Sequence, residues 1–316
     1  MTDLLHVDGL VVDYATGVRA LDGAELLVGR GETVGVVGES GSGKSTLGAA
    51  IGGLLPGPAR ITGGEVRIEG TAVGRLDARR LRRLRRDRLG FIFQDPIGSL
   101  DPTMRVGRQL GLVTGDRTRT ASLLESVRLR DPARVARCYP HQLSGGMAQR
   151  VAIAMAMAAR PEILIADEPT AALDSQVREE VLDVVFALAA EVGTTVLWLS
   201  HDLPAVARRC SRVAVMYGGR IVESGPAAAV LSEPRHPYTA ALARSVPGTA
   251  AEGERLAPIP GQPPVLTGPA TGCSFAPRCP VAIELCAESR PLATDSSGWG
   301  VLCHRADEPD LAGATR

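Results

Sequence analysis

The 35 lysines and arginines of this 316-residue chain include a single lysine, Lys44. It lies in Gly38-Glu39-Ser40-Gly41-Ser42-Gly43-Lys44-Ser45-Thr46, which fits the pattern G-x-x-x-x-G-K-[ST]. Residues of these types at this spacing bind phosphate. Gly41 and Gly43 let the backbone turn so that successive N–H groups converge on an anion. The helix that follows adds the partial positive charge of its N-terminus. A lysine ammonium is a compact charge on a slim stem, and it enters a glycine-lined turn where the arginine fork is crowded. At about 4 Å and an effective dielectric near 20, one lysine–phosphate pair is worth roughly 4 kcal/mol before desolvation. Ser45 supplies a hydroxyl for Mg²⁺. Gly38, Ser40, Ser42 and Thr46 complete a loop built to hold a nucleotide.

Two carboxylates end the apolar run Ile163-Leu164-Ile165-Ala166-Asp167-Glu168. Asp167 is placed to hold magnesium, mostly through water, and Glu168 to polarise an attacking water as general base. Taken alone, such a pair caps a helix as readily as it does catalysis. Beside a phosphate loop the catalytic reading gains weight. A third segment, Leu143-Ser144-Gly145-Gly146-Met147-Ala148-Gln149-Arg150, opens a helix-like stretch shortly before the carboxylates. It resembles the signature of the ATP-binding cassette (ABC) superfamily. Gln94 in Phe91-Ile92-Phe93-Gln94-Asp95-Pro96 resembles that family's Q-loop glutamine, which also ligates magnesium. Asp174 in Ala172-Leu173-Asp174 resembles the D-loop, His201 in Leu199-Ser200-His201-Asp202 the switch histidine, and Tyr14 the aromatic that stacks on adenine. The resemblance spans about residues 4–230. It implies a head-to-tail pair of cassettes in which Ser144, Gly145 and Gly146 of one subunit close on the other subunit's ATP. Met147 stands where the family most often has glutamine.

Tyr139-Pro140-His141-Gln142, Val215-Met216-Tyr217-Gly218-Gly219-Arg220, His236-Pro237-Tyr238-Thr239 and Gly272-Cys273-Ser274-Phe275-Ala276-Pro277-Arg278-Cys279-Pro280 resemble the oligopeptide/dipeptide permease ATPases. That resemblance implies a bacterial importer for peptides. Its other parts are a related but different ATPase chain, two transmembrane permease subunits and an extracytoplasmic binding protein. The helical insert docks a coupling helix of a membrane subunit, and Gln94-Asp95-Pro96 links that contact to the γ phosphate. The place of such a subunit is the cytoplasmic face of the plasma membrane, held peripherally. Nickel importers of the same group are similar. A soluble cassette ATPase of DNA repair or translation fits less well, because the chain has one cassette and no heptad run.

Four of the six cysteines gather as Cys273-x5-Cys279-x6-Cys286-x16-Cys303. In a cytoplasmic chain such a group is a metal site sooner than a disulfide pair. Zinc with four thiolates favours C-x2-C knuckles, which are missing here. The wider spacing and the Cys279-Pro280 step fit an iron–sulfur cluster, and the permease resemblance implies a 4Fe–4S cluster. Zinc and unmetallated thiols remain alternatives, with His304 beside Cys303 an outside candidate. Cys138 and Cys210 read as buried apolar residues.

These residues need elements to carry them. Short apolar runs between helix-like segments predict an α/β fold of the P-loop NTPase (RecA-like) kind. Strands are expected at Thr33–Val37, Leu89–Phe93, Glu162–Ala166 and Thr194–Leu199, and a helix at Gly43–Leu55. Leu4–Tyr14 and Ala24–Val28 predict an antiparallel N-terminal β subdomain. The cassette is expected over residues 1–230 with a helical subdomain over about 95–158. A Pro- and Gly-rich linker or regulatory segment follows over 231–272, and a small Cys-rich C-terminal region over 273–316. Seven arginines in Arg79–Arg88 predict an exposed helix resting on Leu81 and Leu84. Anionic headgroups are an alternative partner for that helix, and nucleic acid is not expected, since no aromatics interleave. Net charge is zero, which excludes a general polycation. The longest apolar run, Val151–Ala159, is far short of the roughly 20 residues of a membrane span. The acidic start of the chain does not read as a signal peptide.

Overall fold

Leu5, Val7, Leu10 and Val12 are all buried and alternate with less buried neighbours, apart from the buried Leu4 and one irregularity near Gly9. That period of two makes the first strand, β1 (Asp3–Tyr14). The computed structural model describes residues 3–170, 175–245, 258–296, 299–306 and 308. It divides into two units, Met1–Arg75 with Trp198–Arg316, and Leu76–Leu197. In the first unit β2 (Arg19–Gly29) pairs antiparallel with β1, with Val7 opposite Leu26. Next come β3 (Thr33–Val37) and α1 (Lys44–Ile51). β4 (Ala59–Ile68) and β5 (Thr71–Ala72) complete a sheet in the order β2-β1-β4-β5. Helix α1 is shorter than the expected Gly43–Leu55. Gly52 closes it, and Gly53 turns left-handed at φ 62° while the Leu54 N–H returns to the Ala49 carbonyl at 2.7 Å.

The second unit begins with α2 (Ala78–Arg88), capped by the Asp77 carboxylate, which accepts from the N–H groups of Arg79 and Arg80. Most of its arginines face solvent and Leu84 is buried, as the apolar edge predicts. Then follow β6 (Leu89–Ile92), α3 (Val106–Thr114), α4 (Thr120–Ser126), α5 (Pro132–Arg137) and α6 (Gly145–Met157). The unit continues through β7 (Ile163–Asp167), α7 (Ser175–Val192) and the start of β8 (Thr195–Ser200). Strands β6 and β7 are parallel, with Ile92 opposite Ala166. Arg88 locks their starts together by donating to both Glu162 oxygens at 2.6 and 2.8 Å. The four helices α3–α6 bury Leu110, Leu124, Val127, Val135 and Val151 completely. Cys138 departs from the expected burial. It caps the C-terminus of α5, half-buried, its thiol turned to the Arg134 carbonyl at 3.4 Å. Cys210 is buried as expected, and burial pushes its thiol up to about 12.

After β8 the chain rejoins the first unit. Helix α8 (Leu203–Arg209) is capped by Asp202. Strand β9 (Arg212–Tyr217) turns into β10 (Arg220–Pro226) through Gly218 and Gly219, whose φ angles of 51° and 75° suit a tight primed hairpin. Helices α9 (Ala227–Ser232) and α10 (Pro237–Arg244) follow, the second lying within the stretch read as linker. Residues 246–257 of that stretch lie outside the described residues. The tail contributes α11 (Glu284–Glu288), β11 (Thr294–Ser296) and β12 (Trp299–Val301). Its strands join the cassette sheet in the order β11-β12-β10-β9-β3, with β3 and β9 parallel and the remaining pairs antiparallel. The tail holds few aromatics, but each seats on the cassette. Phe275 is 1% exposed against Tyr217 and Tyr238. The Trp299 indole donates to Glu223 at 2.9 Å beneath the Arg235 guanidinium.

Candidate active site

In the first unit the phosphate loop leaves the C-terminal end of β3 and runs into α1. Its sterics explain its glycines. A Cβ at Gly38 would meet the Met216 carbonyl oxygen at 2.2 Å, and one at Gly43 the Ala20 carbonyl oxygen at 2.6 Å. Gly41 and Gly43 also need φ of 80° and 107°. Lys44 is buried, and its Nζ donates to the carbonyls of Gly38 at 2.7 Å and Glu39 at 3.0 Å. The Ser42 hydroxyl is buried with no hydrogen-bond partner among the described residues. Steric exclusion of a Cβ at Gly38 and Gly43, an orphaned donor and the N-terminus of α1 together suit a polyphosphate. Tyr14 ends β1 with its hydroxyl 3.3 Å from Thr46 Oγ1, so the expected stacking residue stands beside the loop. His201 is exposed, one residue past the end of β8 and just ahead of the α8 cap.

The other expected residues belong to the second unit. Asp167 ends β7, and Glu168 follows with φ 43°. A non-glycine residue held there costs about 1–3 kcal/mol, and such strain gathers at functional sites. Gln94 lies two residues beyond Ile92, whose register partner is Ala166, so Gln94, Asp167 and Glu168 leave the same edge of the β6–β7 pair. Asp95 folds the next turn by accepting from the N–H groups of Ile97 and Gly98. Ser144 caps α6, accepting from the Met147 N–H at 3.3 Å. Gly145 has open space around it, and a Cβ at Gly146 would touch only Val177 at 3.6 Å. Asp174 and the D-loop lie outside the described residues. The same unit holds a groove of about 490 Å³ lined by Arg82, Arg85, Arg86, Phe91, Phe93 and Leu112.

Cys273, Cys279, Cys286 and Cys303 are free thiols lining a single small cavity with His236 and His304. Burial pushes the Cys273 and Cys279 thiols up and Cys303 to about 11. Among the described residues no three His, Cys, Asp or Glu side chains are grouped so as to hold a metal ion. Buried charge lies nearby in Glu223, which accepts from the N–H groups of Arg235 and His236 at 2.9 Å each. Sequence reading gave no role to Glu39, Glu223 or Arg278. Glu223 follows Ile221 and Val222 and precedes Ser224 on β10, where nothing in the sequence marks a buried acid.

The family model "ABC transporter" matches residues 21–171, and "Oligopeptide/dipeptide transporter, C-terminal region" matches 222–286. The chain is 44% identical over 302 residues to a probable peptide ABC transporter ATP-binding protein of Sinorhizobium fredii, covering 92% of this chain and 90% of the relative. It is 42% identical to the oligopeptide transport ATP-binding protein OppD of Escherichia coli, covering 96% of this chain and 94% of the relative. Among solved structures, a dimeric ATP-binding cassette in a post-hydrolysis state with ADP and phosphate superposes with a TM-score of 0.64 at 34% identity. That match covers 71% of this chain and 98% of the other. Cassette motifs in order, a matching core and kinship along nearly the whole length agree: the chain belongs to the ATP-binding subunits of the oligopeptide/dipeptide ABC transporter family.

Proposed function

We propose that this chain is the ATP-hydrolysing subunit of a bacterial importer for oligopeptides or dipeptides. The observation that carries the reading is the phosphate cradle, where Gly38 and Gly43 leave no space for a Cβ beside a buried Ser42 hydroxyl that has no hydrogen-bond partner among the described residues. Residues 38–46 wrap the phosphates, and Lys44 turns its ammonium from the loop carbonyls to the outer phosphates. Tyr14 stacks on the base. By the family resemblance Ser45, Gln94 and Asp167 would each be a ligand of Mg²⁺, which when bound would neutralise charge on the phosphate oxygens. Glu168 takes a proton from the attacking water, and His201 contacts the γ phosphate.

In this reading Ser144, Gly145 and Gly146 serve the ATP of a second cassette. Among the described residues neither glycine is required by packing or by φ, which supports a surface kept bare for a ligand carried by another subunit. That subunit is a related ATPase chain. Two membrane permeases and an extracytoplasmic binding protein complete the importer. No helix among the described residues is long and apolar enough to cross a membrane, so membrane attachment runs through the permeases at the cytoplasmic face. The groove between α2, β6 and α3 offers apolar walls and three arginines to a coupling helix. Glu168→Gln tests the assignment. It is expected to retain ATP while hydrolysis falls at least 100-fold, about 3 kcal/mol in the barrier. A wild-type rate would reject it.

In this reading the four tail thiols would hold a 4Fe–4S cluster, although as they stand no three ligand side chains among the described residues are grouped for a metal ion. The thiols line one cavity, are free, and lie among groups too few to build a core alone. The cluster would tie together the segments that carry Cys273, Cys279 and Cys303 and the helix α11 that carries Cys286. Protein purified without oxygen is expected to be brown, to absorb near 400 nm and to contain iron and sulfide. A colourless preparation with stoichiometric zinc would overturn this.

A further inference from the structure

Arg278 belongs to the cysteine-bearing tail, yet its guanidinium reaches the phosphate loop. Nη1 and Nη2 donate to the two Glu39 carboxylate oxygens at 2.8 and 3.1 Å. Nε donates to the Pro260 carbonyl at 2.7 Å, Nη1 also to the Tyr217 hydroxyl at 3.2 Å, and Nη2 to the Ile259 carbonyl at 3.3 Å. The side chain is 5% exposed. An arginine with this many acceptors in a buried fork geometry is held in one conformation, because every alternative strands a desolvated donor.

Glu39 is held as firmly. It follows the first glycine of the phosphate loop. Its N–H donates to the Tyr238 hydroxyl at 2.9 Å, and its carbonyl accepts from Lys44 Nζ at 3.0 Å. One residue therefore receives both the tail's arginine and the loop's lysine. Beneath it, Tyr217, Tyr238 and Phe275 form one aromatic cluster with ring centroids 4.5 to 5.4 Å apart. Glu39 is an anion built into a loop that binds anions. Unpaired, its charge opposes phosphate. Paired with Arg278 the charge is cancelled, and the backbone that carries it is fixed.

We infer that Arg278 is a positioning residue for the nucleotide: by holding the Glu39 carboxylate it cancels the phosphate loop's own negative charge and fixes the backbone against which Lys44 is set. The cysteine-bearing tail is thereby part of the nucleotide site. The inference rests on the reading of residues 38–46 as that site.

Titrating the intact chain with the non-hydrolysable ATP analogue AMP-PNP and magnesium tests it. Arg278→Met leaves Glu39 unpaired and is expected to raise Kd about fivefold. Arg278→Lys supplies a point charge without the fork and is expected to fall between. Adding Glu39→Gln to Arg278→Met is expected to bring Kd back to within about twofold of wild type, with a weaker salt dependence. A tail that merely props the fold gives another pattern. The double variant then binds no better than Arg278→Met, and Kd follows the thermal midpoint instead of the charge. That pattern, or a wild-type Kd in Arg278→Met, overturns the inference. If Arg278→Met does not fold, Arg278→Lys with and without Glu39→Gln reads the same contrast. Lys44→Ala separates the two levels. Binding lost there with Arg278→Met unaffected rejects this inference alone, whereas binding retained in Lys44→Ala rejects the loop assignment and the inference with it.

Discussion

Two glycine-rich segments of this protein face opposite demands. In the phosphate loop a Cβ at Gly38 or Gly43 would strike a carbonyl oxygen at 2.2 or 2.6 Å, and Gly41 and Gly43 require left-handed backbone. At the start of α6, Gly145 and Gly146 have ordinary φ and almost nothing near them. The first pair of constraints comes from the chain's own packing. The second segment shows no such constraint among the described residues, which fits the role proposed for it at the ATP of another subunit.

The contrast breaks most visibly under alanine. Gly43→Ala combines a clash with a disallowed φ and is expected to cost about 3 kcal/mol of stability and to abolish nucleotide binding, measured by denaturant unfolding and titration. Gly146→Ala should leave stability unchanged or raise it by about 0.5 kcal/mol, since alanine favours a helix. Its expected loss is in ATP-driven pairing, with hydrolysis in the assembled transporter down at least about tenfold, or about 1.4 kcal/mol. A Gly146→Ala variant that unfolds, or that hydrolyses normally, would erase the distinction. Ser144→Ala removes the cap of α6 and is expected to cost about 1 kcal/mol, read as a small shift of the thermal midpoint together with weaker pairing.

The smallest effect lies on the tight side. Hydrogen bonds from Arg19 and Thr62 hold the Asp13 carboxyl, next to Tyr14, below its usual range. A depressed acid stabilises the fold above its unfolded pKa, and that contribution fades as pH falls through the folded value. Because Asp13 is partly exposed, screening limits this to about 0.5 kcal/mol. Asp13→Asn should flatten stability slightly between about pH 5 and pH 2, and an unchanged acid limb would show that the pairing contributes nothing.

Local chemistry made the open and the tight segments legible before any coordinates. The run Thr33–Val37 into glycines places β3 and its loop correctly, because both the apolar strand and the turn residues are written within a dozen positions. Ser144 as a cap is equally local. The far end of α1 was overrun because the apolar pattern continues through Leu54 and Leu55 while Gly52 and Gly53 stop the helix. Cys138 was misplaced because a helix C-terminus exposes a residue that composition alone would bury. The Arg278–Glu39 pair spans 239 residues. Neither partner carries a periodic or motif signal that points to the other, since a long-range ion pair is fixed by topology. The same holds for Trp299 on Glu223. The four cysteines were legible as a group, and the fold lines one cavity with them.

The central claim is that two cassettes clasp ATP between the phosphate loop of one and the α6 start of the other. Sedimentation of the Glu168→Gln chain with its companion ATPase subunit, with and without magnesium ATP, tests this most directly. The expected result is a dimer that forms only with ATP and is lost when either Lys44→Ala or Gly146→Ala is added. Sedimentation that is the same with and without ATP, accompanied by hydrolysis at the wild-type rate, would contradict it.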